Sequence, residues 1–170
     1  MIYKARKGQV SSGEAIGILL LDTAVPFIPG DVANASTYSF PVRFQKVPGF
    51  TVARALDKDP AVFGDLLNAA ESLERQGVRA VTGDCGFMGI HQQKLSRALN
   101  VPVFLSSLIQ IPFIRCIIGP DAAVGVITAD SKSLNPDLLM AVGVSDISNL
   151  VIKGLQDQPS FYSFLCNLLF

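Results

Sequence analysis

Paired cysteines are missing from this chain: Cys85, Cys116 and Cys166 lie 31 and 50 residues apart. That spacing excludes the usual zinc and redox motifs and points to reduced thiols in a cytoplasmic protein. Charge excess is missing too. Fourteen Lys and Arg against fourteen Asp and Glu leave a net charge of zero, so no overall field draws in nucleic acid or an anionic membrane. No apolar run approaches the roughly 20 residues of a spanning helix. Lys4, Arg6 and Lys7 precede the apolar run 15–21 as in a secretory leader. Yet Glu14 and Asp22 bracket that run and no small-residue cleavage site follows, so a buried strand is expected. No glycine-rich loop has the spacing of a phosphate cradle, and there is no short internal repeat or low-complexity linker. What is present is 170 residues at 49% hydrophobic content, enough for an ordinary core without disulfides or metals.

The apolar runs alternate with helical patterns. Residues 15–21 read as a strand buried on both faces, followed by a long irregular stretch, 23–39, rich in Pro, Gly, Asp, Asn and Ser. The alternating run 41–47 suggests an edge strand closed by Pro48 and Gly49. Asp59-Pro60 starts a helix with a capping carboxylate and a preset φ, Phe63, Leu66, Leu67, Ala70 and Leu73 mark its apolar face, and Gly77 ends it. Further strands are expected at 78–82, 101–105, 122–128 and 149–155. Helices are expected at about 90–99, after Ser106 or Ser107 with Pro112 inside, and from Ser133 to about Val142. Such alternation predicts an α/β fold with a doubly wound parallel sheet and helices on both faces.

In such sheets ligands sit beyond the carboxyl ends of the strands. Three places qualify: Asp22 and Thr23, Asp84 to Gly86, and Thr128 to Ser131. All should open onto one cleft. Gly83-Asp84-Cys85-Gly86 sets a thiol in a tight turn before a helix, where amides and the helix dipole favour thiolate, and the flanking glycines let a substrate approach. Cys85 is therefore a candidate base or nucleophile; the plain alternative is a small apolar filler. Asp84 could orient a substrate amine, although its charge would raise the thiol pKa.

Four segments together, 17–23, Ile28-Pro29-Gly30-Asp31-Val32, Gly83-Asp84-Cys85-Gly86 and Val124-Gly125-Val126-Ile127-Thr128-Ala129-Asp130, resemble the aspartate/glutamate/hydantoin racemase superfamily over roughly residues 15 to 155. The resemblance implies a cofactor-independent racemase or isomerase with two similar α/β lobes, each giving one cysteine to the cleft between them. One thiolate takes the α-proton of an amino acid or related carboxylate, and the opposite thiol returns a proton to the other face. Cys85 matches the first-lobe cysteine. Asp22 and Thr23 match an acidic and hydroxyl pair near the substrate amino group, Thr128 a hydroxyl that holds the carboxylate, and Asn34 a pocket-lining position. No cofactor or metal is implied, and the partner is a small carboxylate or amino acid.

The departure from that pattern is the second cysteine, which the superfamily carries far into its second lobe. Cys166 sits in an apolar tail outside any strand-turn-helix pattern and does not take the role. The expected layout is a complete first lobe, 1–120, a partial second lobe, 121–160, and an atypical apolar tail, 161–170, in a truncated or altered relative. The uncovered apolar surface then implies homo-oligomer formation. The rival reading is a catalytically incomplete carboxylate-binding or regulatory relative; a flavodoxin-like module is opposed by the thiol and the missing phosphate loop. Elsewhere Cys116 reads as core filler on an apolar helix face, His91 as a solvated turn histidine, Glu71 and Arg75 as a solvent pair, and Asp121 and Asp137 as turn and first-turn residues.

Overall fold

The computed structural model describes residues 4, 5 and 7–161. Cys166 and the apolar tail from 162 onward lie outside the described residues. The first sheet is parallel throughout, with β1 (Ile16–Leu20), β2 (Val42–Lys46), β3 (Ala80–Gly83) and β4 (Val103–Phe104) in the order β2-β1-β3-β4. β1 is central: Ile18 lies opposite Phe44 on one side and Thr82 on the other. Ile18 and Leu19 lose all exposure because strands flank β1 on both edges and side chains cover both faces. The alternating segment takes the edge position, as β2. A second parallel sheet pairs β5 (Val124–Thr128) with β6 (Leu150–Gly154). The fold is thus mixed α/β with parallel sheets.

The connections include α1 (Val52–Leu56), α2 (Phe63–Arg75), α3 (Gln92–Ala98), α4 (Gln110–Ile118) and α5 (Pro136–Ala141). Asp59 caps the turn before α2 by accepting from Ala61 N–H at 2.9 Å, and Gly77 beyond its end has φ +97, a conformation glycine adopts without a Cβ clash. Helix α1, capped by Thr51, is too short for the apolar period to reveal. Pro112 stands at the third position of α4, within the first turn, where its missing N–H breaks no intrahelical bond. The cap of α5 is Asn135, which accepts from Leu138 N–H at 3.0 Å, with Pro136 at the first helical position. Ser133, expected there, instead donates to Asp130 at 2.8 Å.

One core runs from α2 and β1 through Met88, Leu105 and Val126 to Leu138. α2 packs on β1, where a Cβ built at Gly17 would stand 2.9 Å from Leu73 Cδ1 and 3.2 Å from Leu73 Cβ. Gly17→Ala should therefore cost about 1–3 kcal/mol by overpacking. A urea midpoint equal to that of the native chain would show that Leu73 yields instead.

β5, expected as a further buried strand at 122–128, alternates in burial. Val124 and Val126 face the core while Ile127 is 77% exposed. Successive strand side chains point to opposite faces, and among the described residues only one face of this short sheet is covered. Cys116 is likewise corrected: it is exposed on α4 beside Phe113 and Ile117, because that stripe of the helix faces away from the core.

Candidate active site

The three strand ends meet at one cleft of about 370 Å³, lined among others by Thr23 after β1, Asp84, Cys85 and Gly86 after β3, and Thr128 after β5. The backbone explains the convergence. Asp84 N–H donates to Leu19 C=O at 3.0 Å, and the Asp84 carboxylate accepts Leu21 N–H through both oxygens, at 3.2 and 3.1 Å. The end of β1 is thereby tied to the end of β3. Beyond Cys85 the chain enters a 3-10 turn, Gly86–His91, that packs against α5. A Cβ at Gly89 would stand 2.9 Å from both Ser106 Cβ and Val142 Cγ1, so only glycine permits this approach, which brings the α5 segment to the cleft.

Two sequence candidates stand elsewhere. Asp22 is not in the cleft lining: it pairs with Lys46 Nζ at 3.0 Å and accepts Gly49 N–H at 2.9 Å, contacts that hold its carboxyl below the usual range. Asn34 caps a short 3-10 turn, accepting from Ser36 N–H at 2.8 Å and donating to Phe27 C=O at 2.7 Å. Both residue types hydrogen-bond nearby backbone readily, and here that use takes them off the cleft.

The electrostatics differ from expectation. Cys85 heads a 3-10 turn and was expected to favour thiolate. Burial instead pushes its thiol up to about 11, and the neighbouring Asp84 adds to the rise against the opposing N–H of Phe87. Cys85 keeps some contact with the cleft, yet dense protein atoms surround its sulfur, and desolvation outweighs the weak field of a six-residue turn. Asp84 is raised to about 6, chiefly by burial and with a contribution from Asp31, against the Leu21 N–H bond. Both groups are held in environments that disfavour their charge.

His91 is not solvated. It is 3% exposed, packed against Phe50 and Phe63 with ring centroids 6.0 and 5.8 Å away. Burial, with Lys94 assisting, lowers it to about 4, so it is neutral near pH 7 and does not line the cleft. The hydrophobic partners come from segments far away in sequence, and nothing near position 91 announces them.

Sequence reasoning passed over Asp31, Ser106 and Ser107 as site residues, and the rings of Phe27 and Phe87, all of which line the cleft. Phe27 and Asp31 belong to the irregular stretch 23–39; its unusual length for a structureless loop was the available signal. Among the described residues no group of three or more His, Cys, Asp or Glu side chains is placed to hold a metal ion. No described helix is long and apolar enough to cross a membrane.

No protein-family model matches the chain. Among solved structures, an aspartate racemase homologue from Pyrococcus horikoshii OT3 is similar at 14% identity and TM-score 0.48, over 90% of this chain and 70% of that one. Among curated proteins, dimethylsulfoniopropionate lyase 3 of Emiliania huxleyi (strain CCMP1516) is 32% identical over 158 residues, 89% of this chain and 41% of that protein. The dimethylsulfoniopropionate lyase of Durusdinium sp. clade D is 30% identical over 154 residues, 86% of this chain and 51% of that protein. Lyases 5, 6 and 7 of Emiliania huxleyi also match, at 31 to 32% identity. The chain spans about half or less of the length of these relatives. They overturn the expectation of a racemase or isomerase acting on an amino acid. The reason is chemical: a thiol at a strand end is equally compatible with reprotonation or elimination after a proton is taken, so the residue alone does not separate the two reactions.

Proposed function

We propose that this chain carries a cysteine-based lyase site for dimethylsulfoniopropionate or a closely similar β-sulfonio carboxylate. The observation that carries the reading is the match to five relatives of that name over 86 to 89% of the chain. The composition of the cleft supports it. Its described lining holds one thiol, two carboxylates and no Lys, Arg or His, a setting that favours a ligand with a positive end.

In the proposed reaction the Cys85 thiolate takes the proton at the carbon next to the substrate carboxylate. That electron pair forms the C=C bond, the bond to sulfur breaks, and the sulfonium leaves as neutral dimethyl sulfide with acrylate as coproduct. The leaving group needs no proton, so the elimination asks for one base and no opposing acid. A racemisation asks for both, and the one thiol among the described lining residues meets the need of the elimination. The raised thiol pKa is not an obstacle of principle, since a cation bound beside Cys85 favours its charged form. Hydroxyls of Ser106, Ser107 and Thr128 line the cleft and are the available donors for the carboxylate.

The experiment is direct: incubate the chain with dimethylsulfoniopropionate and follow dimethyl sulfide by gas chromatography and acrylate by NMR. Equal release of both products is expected. Absence of both, in a chain shown to be folded, would overturn the lyase reading and favour a binding relative without turnover.

A further inference from the structure

The cleft contains two carboxylates and nothing among its described residues to neutralise them. Asp84 lies part-buried at the end of β3, with both oxygens on Leu21 N–H. Asp31 stands at the exposed lip, its Oδ1 held by Ala33 N–H at 2.7 Å, its backbone C=O accepting from Thr37 Oγ1 at 2.6 Å. Neither takes part in an ion pair with a described residue. Phe27 and Phe87 line the same space, and the negative face of an aromatic ring attracts a cation. Asn34 Nδ2 donates to Phe27 C=O at 2.7 Å, so the loop that carries both Phe27 and Asp31 is internally tied.

Building two carboxylates into one cleft costs the fold energy that their backbone N–H bonds offset only in part, and no described side chain supplies a counter-charge. Two like charges facing a common apolar space repel, and the repulsion is relieved when a cation enters. A compact ammonium would also have to give up strong hydration. A sulfonium or quaternary ammonium is bulky, weakly hydrated and has no N–H to satisfy, so a site made of two carboxylates and two rings suits it better.

We propose that Asp31 and Asp84, with the rings of Phe27 and Phe87, form the subsite for an onium group, and that this subsite sets the specificity of the cleft for a carboxylate with a permanently cationic far end. The assignment deepens the lyase reading and rests on it for the identity of the onium. Because the positive charge disappears as dimethyl sulfide leaves, the subsite stabilises the bound substrate more than the transition state. Its loss therefore falls on KM rather than on kcat.

The test uses two unreactive, isosteric probes, 3-(trimethylammonio)propionate and 4,4-dimethylpentanoate, which differ in one charge. Binding is read by isothermal titration calorimetry on the native chain and on Asp31→Asn and Asp84→Asn. The charged probe should bind the native chain at least about tenfold more tightly, each variant should lose most of that preference, and the neutral probe should be indifferent to both changes. Asp31→Asn keeps the acceptor for Ala33 N–H and sits on an exposed loop, so it should fold as the native chain does. Equal binding of the two probes, binding of neither, or a preference that survives in both variants would overturn the subsite. The binding assay needs no turnover, so the two proposals fail separately. Charge-selective binding without dimethyl sulfide release would sink only the lyase reading, and release without charge selectivity only the subsite. Where turnover is measurable, Asp31→Asn should raise KM, and a fall confined to kcat would mark a merely structural role.

Discussion

Cys85→Ser is expected to lower dimethyl sulfide release by at least about a hundredfold and to leave the fold intact, since a hydroxyl replaces a thiol of similar size and general-base groups contribute about 10²–10⁴ to rate. The pH profile should carry the signature of the thiol. Burial and the adjacent Asp84 hold Cys85 near 11 in the free protein. Thus kcat/KM should climb about tenfold per pH unit from neutral far into the alkaline range, because only the thiolate fraction reacts. In the complex a cation lies beside the sulfur and favours its charge, so the limb in kcat should fall at lower pH than the limb in kcat/KM. Initial rates from pH 6 to 10 decide the matter. A profile flat across that range in both parameters would assign the proton abstraction to another group.

Asp84→Asn should stabilise the chain at pH 7 and not at pH 4. The folded carboxyl is raised to about 6, above its unfolded value, so between about pH 4 and 6 the native state binds the extra proton. Its favourable contribution is complete below that window and lost as pH rises through it. His91 works in the opposite direction. Burial lowers it to about 4, so the unfolded chain binds the proton first, and stability is lost as pH falls from about 6.5. The two slopes oppose each other over the same interval and should leave the native chain nearly flat there. Removing the Asp84 charge should gain about 1–2 kcal/mol at pH 7, discounted for partial exposure, and should uncover the His91 slope on the acid side. Urea unfolding at pH 4, 5, 6 and 7 reads both effects; parallel curves for the native chain and the variant would refute the coupling. A gain in stability on removing Asp84 is also what a residue retained for ligand binding predicts.

The local signals that carried through were those with a mechanism confined to a few neighbours. A continuous apolar run is legible as a strand of a parallel sheet because burial on both faces demands it, as Ile18 and Leu19 show. Asp59-Pro60 and Gly77 are legible because capping and positive φ are properties of one or two residues. The thiol between glycines at the end of β3 is legible because a strand end in this fold class is where ligands go. From there the resemblance to racemases carried the chemistry one step too far.

What sequence order could not supply was whatever depends on partners from elsewhere in the chain. The pKa of Cys85 is set by the density of atoms packed around it, and a turn-and-dipole argument has the sign wrong once burial dominates. Asp22 finds Lys46 and Gly49, Asn34 finds Phe27 and Ser36, and each is drawn off the cleft by hydrogen bonds that only the folded loops offer. His91 lies between rings from positions 50 and 63. By itself the sequence determined the alternation of strands and helices and the strand end that bears the thiol, because short-range stereochemistry and burial periodicity suffice for both. Only the tertiary structure decided that Asp31 lines the same cleft as Asp84 with no Lys, Arg or His among the described lining residues, because charge complementarity is a property of assembled surfaces and not of any segment.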